Sequence, residues 1–384
     1  MDKTVGEFRD KFTISLSCAS GVESVLKKEV NRLCGIDAPA VNGRIEIDGD
    51  PLLLAKCNIR LRTADRVYIK VAEFSAVSFD EIFCGVKAIR WKEYLTRDAN
   101  VYVDGKCVKS KIYAISDCQR IIKKAIADNL CGVYGLKSLP ESGAEYKIIF
   151  YLFKDVLSVY IDSSGTGLNK RGYRDRVGIA PIKETLAAAM LLMSDFYKTR
   201  PFCDPFCGSG TFLIESARIA YNVAAGIDRK FAFNRWENFD KSAYLRAYEE
   251  SKDLEDFSVK TDIRGFDVDK KAIELTLRHA ERAGLKDKIK VAVRPVKDLE
   301  LWAREGTIVT NPPYGERVYG KSDAEECYKY LGKAAGENVG WSVFAITDNP
   351  RFERAFGRKC DRKRKLYNSE KECNYYFYYG KKEK

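Results

Sequence analysis

The 384-residue sequence predicts an α/β architecture. A doubly wound, Rossmann-like sheet is expected in residues 166–384, preceded by two small α+β units at 1–65 and 66–165. Three observations predict this. Asp204-Pro205-Phe206-Cys207-Gly208-Ser209-Gly210-Thr211 sets an acid and a Gly-x-Gly turn between a short apolar strand and an apolar helix. Gly265-Phe266-Asp267-Val268-Asp269 repeats the acidic strand end, and Thr310-Asn311-Pro312-Pro313-Tyr314 follows the apolar strand Thr307-Ile308-Val309. In an open α/β sheet such strand ends border the ligand crevice.

Composition narrows the class. A hydrophobic content of 45% is enough for proper cores, and no apolar run reaches membrane-spanning length,. Met1-Asp2-Lys3-Thr4 opens no apolar export segment, so a cytoplasmic protein is expected,. The 12 cysteines are scattered without a Cys-x-x-Cys pair, and His279 is the one histidine, so no metal site is expected,. Net charge is +12, unevenly spread: residues 1–165 hold 25 Lys/Arg against 22 Asp/Glu, whereas 351–384 hold 12 against 5. Such a protein suits a polyanionic partner.

In chain order, Phe12, Ile14 and Leu16 alternate as a half-buried strand,. Ser20 and Glu23 read as a capping box for a helix carrying Val22, Val25, Leu26, Val30 and Leu33 and closed by Gly35,. Ile45 and Ile47 predict a strand, Leu52 to Cys57 a short helix, and Val67, Ile69 and Val71 a strand. Ser78 with Glu81, and Ser116 with Gln119, read as caps of two further helices. Tyr146–Phe153 and Val156–Ile161 read as a hairpin turning at Lys154-Asp155,.

A glycine-punctuated basic joint follows, Gly167-Leu168-Asn169-Lys170-Arg171-Gly172-Tyr173-Arg174, which reads equally as a solvated linker or a phosphate-contacting loop,. Ala180-Pro181 opens an apolar helix, and a polar insert near 225–258 separates the first two acidic strand ends. Asp269 reads as the cap of a helix buried through Ala272, Ile273, Thr276, Leu277 and Ala280, with His279 off that face and in solvent,. Ile289 to Val293 and Trp341 to Ile346 supply further strands, and Tyr375 to Tyr379 belong to a terminal hairpin.

The glycine turn is neither a dinucleotide fingerprint, since Leu213 replaces the third glycine, nor a P-loop, which lacks its Gly-Lys-Ser/Thr here,. An acid at the strand end suits a cationic ligand better than a pyrophosphate. Together, the acidic-glycine turn and the Asn-Pro-Pro-Tyr turn resemble class I S-adenosylmethionine-dependent methyltransferases that modify exocyclic amines. That resemblance implies cofactor contacts at Asp204, Phe206, Gly208, Gly210, Thr211, Asp267 and Asn311. Such enzymes often hold adenine by an acid after the third strand; Pro295 stands there, leaving Asp298 as the substitute. Asn311 and the Pro312 carbonyl would accept the amine's two N–H groups, with Tyr314 stacked on a flipped base,.

The phrases Arg62-Thr63-Ala64-Asp65-Arg66-Val67, Cys118 to Ala125, and Tyr160-Ile161-Asp162-Ser163-Ser164-Gly165 resemble a ferredoxin-like domain followed by a THUMP domain. The whole chain resembles the THUMP-bearing RNA guanine-N2 methyltransferases, most specifically at Arg171-Gly172-Tyr173-Arg174, Asp204 to Thr211 and Asn311-Pro312-Pro313-Tyr314-Gly315-Glu316-Arg317. The expected fold is thus a Rossmann-like class I methyltransferase domain preceded by ferredoxin-like and THUMP domains. The resemblance implies RNA as partner, with 23S ribosomal RNA ahead of the transfer RNA acceptor stem. Guanine N2 is implied only by that resemblance; the residues alone imply an exocyclic amine. DNA adenine N6 and protein glutamine N5 methylation are the rival activities, and an RNA-binding protein with a vestigial fold is the rival without activity. Some ribosomal relatives carry a second methyltransferase domain, and its absence from this sequence argues against dual activity. RNA phosphates are expected at Lys170, Arg171, Arg174, Arg317, Arg362, Lys363, Arg364 and Lys365.

Overall fold

The computed structural model describes residues 8–41, 43–174, 182–314, 321–368 and 371–381. The N-terminal half contains β1 (Phe12–Ser17), α1 (Glu23–Cys34), β2 (Ala40–Val41), β3 (Arg44–Gly49), α2 (Pro51–Arg60) and β4 (Arg66–Ser75). It continues with α3 (Phe79–Lys87), β5 (Asn100–Val108), α4 (Ile115–Tyr134), β6 (Glu145–Phe153) and β7 (Val156–Asp162). These seven strands make one sheet in the order β2-β3-β1-β4-β7-β6-β5. β4 pairs with β1 on one side and β7 on the other, so both α+β units share a single sheet.

Local signals hold in part. Gly35 closes α1 at φ 74°, and Ser78 caps α3 by accepting from the Glu81 N–H. The other two expected capping boxes do not form. α1 is preceded by Val22, and Glu23 instead accepts from the Gly21 N–H at 2.9 Å. α4 starts at Ile115 after the capping position Ala114, so Ser116 lies within its first turn. Lys154 and Asp155 turn the predicted hairpin at φ 50° and 62°, the conformation of a tight two-residue connection. β5 has no counterpart in the sequence reading: Gly105 and charged residues interrupt its alternation, and its parallel pairing with β6 comes from tertiary context,.

The C-terminal half runs α5 (Glu184–Met193), β8 (Phe202–Asp204), α6 (Thr211–Ala220), α7 (Lys241–Asp253), β9 (Ile263–Asp267), α8 (Lys270–Arg282) and β10 (Lys290–Val293). After these come β11 (Gly306–Thr310), α9 (Lys321–Glu337), β12 (Trp341–Thr347), α10 (Phe352–Phe356), β13 (Arg362–Asn368) and β14 (Lys371–Tyr378). Pro181 lies outside the described residues, and α5 opens at Glu184. The strand order is β10-β9-β8-β11-β12-β14-β13, parallel from β10 to β12 and antiparallel in the last two pairs. This is a class I methyltransferase sheet.

The insert is less polar in place than in sequence. Trp236 is fully buried, stacks on Tyr146 at 4.9 Å and donates through Nε1 to the Glu145 carbonyl at 3.2 Å. Phe8 packs on Trp236 and Phe239, and the Gly226 N–H reaches the Ile59 carbonyl at 2.7 Å. These contacts lock the insert's aromatic side onto the N-terminal sheet unit. Among the described residues, no helix is long and apolar enough to cross a membrane.

Candidate active site

β8 lies between β9 and β11, where the strand order reverses. Asp204 ends β8, Asp267 ends β9 and Asn311 follows β11, so the three motif residues open on one crevice,. Asp204 is buried. Thr310 Oγ1 donates to its Oδ1 at 2.6 Å, and the Phe206 N–H reaches the same oxygen at 3.2 Å. Burial, helped by the nearby Asp267 charge, pushes the Asp204 carboxyl up to about 7 despite these donors. A cationic ligand would favour its ionised form.

Gly208 and Gly210 take positive φ values of 52° and 81°, which a side chain would strain,. A Cβ on Gly210 would lie 2.7 Å from Thr276, whereas one on Gly208 would meet nothing within 4 Å. Gly208 therefore borders open space, as a bare-backbone cradle requires. The Asp267 carboxylate accepts from the Gly208 N–H at 2.9 Å and the Asp269 N–H at 3.0 Å. It fixes the loop first, and a carboxylate keeps further lone pairs for a ligand hydroxyl. Asp269 caps α8, as the sequence predicts. Phe206 is half-buried, and Asp298 is exposed on a single 3₁₀ turn, Val296–Asp298. Thr211 is buried at the start of α6, where its hydroxyl meets the Arg174 guanidinium.

Around Asn311 the turn is braced from within. The Tyr314 hydroxyl donates to Asn311 Oδ1 at 2.7 Å, and the Tyr328 hydroxyl donates to the Pro313 carbonyl at 2.6 Å. Lys371 lies 5.4 Å from the Tyr314 ring centre, and Cys373 Sγ is 3.8 Å from its hydroxyl. Burial pushes the Tyr314 phenol well above its ordinary value. Tyr314 is half-buried and engaged with Asn311 and the terminal hairpin. Pro312 is buried beside it.

Two groups of expected residues need correction. Arg171 is not a phosphate contact: it is buried and donates to the carbonyls of Leu168 and Arg62 at 2.8 and 2.5 Å, with Glu215 at 3.5 Å. Arg174 pairs with Glu184 at 3.3 Å and donates to the Ile182 carbonyl and Thr211. Lys170 is exposed, and Arg317 lies outside the described residues. The second correction is His279, which is fully buried with Nδ1 3.0 Å from the Ser209 carbonyl oxygen. Arg362, Lys363, Arg364 and Lys365 are the first residues of edge strand β13, mostly exposed.

Sequence reasoning missed the arginines that join the halves. Arg62 donates to the Arg218 carbonyl at 3.2 Å, and Arg218 pairs with Asp228 at 2.7 Å. Arg229 binds the carbonyls of Thr166, Gly167 and Lys170 at 2.6 to 2.8 Å. The acceptors of Arg62 and Arg229 are backbone carbonyls, which no residue pattern reveals.

The family model for the RMKL-like methyltransferase domain matches residues 171–376. Those for the RlmL ferredoxin-like and THUMP domains match 13–68 and 76–162. YpsC of Bacillus subtilis, a candidate RNA methyltransferase, is 42% identical over 97% of both chains. The ribosomal RNA large subunit methyltransferase K/L of Allochromatium vinosum is 33% identical over 91% of this chain, which spans 49% of that relative. SMU.472, a candidate methyltransferase whose crystal structure holds S-adenosylhomocysteine, superposes at a TM-score of 0.94 with 39% identity, covering 98% of this chain and 100% of that one. The chain belongs to the RMKL-like family of THUMP-bearing RNA methyltransferases, with S-adenosylmethionine as cofactor.

Proposed function

We propose that this protein methylates the exocyclic N2 amine of a guanine in 23S ribosomal RNA. One observation carries the reading: Thr310 ties the buried Asp204 carboxylate to the strand end that presents Asn311. The cation-favouring acid and the amine acceptor are therefore built on neighbouring strands at one crevice. The large-subunit RNA activity named for the K/L relative and the whole-chain resemblance to THUMP-bearing guanine-N2 methyltransferases support the choice of substrate.

The residues fit S-adenosylmethionine. Asp204 offers a buried carboxylate to a cation, Gly208 an open backbone edge, and Asp267 spare lone pairs for hydroxyls. Phe206, Gly210, Thr211 and Asp298 complete the proposed contact set, with Thr211 acting through its place at the start of α6. The bound cofactor supplies a methyl group on a positively charged sulfur. The protein's part is to position the amine, because an in-line displacement depends chiefly on alignment. Asn311 Oδ1 has two lone pairs. Tyr314 occupies one and thereby sets the carboxamide's orientation, leaving the other for a substrate N–H,. The Pro312 carbonyl takes the second N–H, and the prolines hold the turn stiff. Drawing both N–H groups away from the ring plane turns the nitrogen lone pair toward the methyl.

Asn311→Ala should keep cofactor and RNA affinity while slowing single-turnover methyl transfer at least roughly 100-fold. A near-normal rate removes Asn311 from this role. Total RNA and DNA incubated with labelled cofactor should yield label in N2-methylguanosine of the large ribosomal RNA. Label in adenine, in DNA or in transfer RNA would overturn the substrate assignment.

A further inference from the structure

The buried histidine has no part in the mechanism above, yet it faces the glycine loop. α8 presents two side chains to that loop, three residues apart on one face. Thr276 Oγ1 donates to the Gly208 carbonyl at 2.8 Å, and His279 Nδ1 lies 3.0 Å from the Ser209 carbonyl oxygen. A carbonyl oxygen can only accept, so His279 must carry its proton on Nδ1. The same loop gives its Gly208 N–H to Asp267. Two consecutive carbonyls are thus held on the α8 side and one amide on the β9 side. The ring is fully buried and sits 6.4 Å from that of Tyr173, itself buried on the joint between the two halves.

We infer that His279 and Thr276 are positioning residues for the cofactor, holding the Gly208–Ser209 carbonyls toward α8 so that the loop keeps its ligand-binding shape. The inference rests on the reading that this loop holds S-adenosylmethionine. It goes beyond that reading by assigning the loop's geometry to two residues that need not touch the ligand. Both donors come from the helix that follows the Asp267 strand, so the carboxylate and the two carbonyl donors act as one frame. Losing a donor leaves a half-buried carbonyl without its α8 partner, and the loop relaxes at the expense of cofactor affinity.

The test compares His279→Leu, which removes the donor, with His279→Asn, whose carboxamide nitrogen can stand where Nδ1 stood. Calorimetry with S-adenosylmethionine should show roughly tenfold weaker binding for the leucine variant. The asparagine variant should return to within about threefold of wild type. RNA KM should stay unchanged in both. Thr276→Val, nearly isosteric, should also weaken cofactor binding and serves if the leucine variant fails to fold. As this is the chain's one histidine, imidazole nitrogen spectra of the unaltered protein should show a protonated Nδ1 whose shift moves when S-adenosylhomocysteine is added. Equal cofactor affinity in His279→Leu, Thr276→Val and wild type would overturn the inference, as would an unprotonated Nδ1. Asp267→Ala separates the two levels. If it too binds with wild-type affinity, the cofactor reading itself falls; if it alone weakens binding, only the inference falls.

Discussion

Two basic segments carry their charge in opposite ways. In Lys170-Arg171-Gly172-Tyr173-Arg174, both arginines turn inward, onto backbone carbonyls and the carboxylates of Glu215 and Glu184. In Arg362-Lys363-Arg364-Lys365, the side chains stand on an edge strand, where Arg364 reaches Ser24 and Lys365 pairs with Glu372 on the neighbouring strand. The first segment cements the halves of the molecule, and the second leaves charge at the surface. What separates them is the set of acceptors that the fold brings near, and Arg62 lies 109 residues from Arg171 in the chain.

The largest effect should come from the buried member. Arg171→Met should lower the free energy of unfolding by about 3–5 kcal/mol, because Glu215 would be left without its buried partner. Its RNA salt dependence should stay as in wild type. A stable variant with a shallower salt slope would return Arg171 to the RNA face and erase the contrast. The edge strand should respond the other way. Neutralising Arg362, Lys363, Arg364 and Lys365 to glutamine should reduce the slope of log affinity against log salt by about 0.7–0.9 for each phosphate that is no longer neutralised. Cofactor affinity and denaturation midpoint should hardly move. An unchanged slope in filter-binding titrations places the RNA footprint elsewhere.

Asp204 sharpens the contrast with a smaller effect, since it is buried like Arg171 but its hydrogen-bond donors are neutral. Its folded carboxyl titrates at about 7, above the ordinary 3.8. Between those values the folded ligand-free chain holds a proton that the unfolded chain has released. The stability this contributes is present at low pH and is lost as pH rises through about 7,. Cofactor affinity should move oppositely, rising over the same range as the carboxylate ionises. Urea melts and calorimetry at several pH values should show both trends, and Asp204→Asn should flatten them. Identical pH profiles in the two proteins would refute the assignment.

The sequence made the crevice legible because its residues sit at strand ends in short motifs, and strand ends meet by the rules of a doubly wound sheet. Asp204, Asp267 and Asn311 needed only order and spacing. His279 falls outside the apolar stripe predicted for α8, yet it is buried against the glycine loop beside Thr276, where a polar side chain finds a carbonyl. The insert reads as polar in sequence because the partners that bury its Trp236 and Phe239, namely Phe8 and Tyr146, come from the other half. Nothing in the Asn311 turn itself announces the Cys373 and Lys371 side chains packed against Tyr314.

The sharing of β4 has a consequence for how the N-terminal half comes apart. This strand pairs with β1 from Arg66 to Lys70 and with β7 from Tyr68 to Ser75, so the two partners overlap at its middle. Stripping either neighbour away would bare a row of peptide groups in the middle of the sheet, and with it the apolar faces of both units. Sub-global opening follows the boundaries of hydrogen-bonded, co-packed blocks, not those of sequence families. The ferredoxin-like and THUMP segments are therefore one cooperative block: amides on β1 and β7 should exchange with solvent only when both segments unfold together.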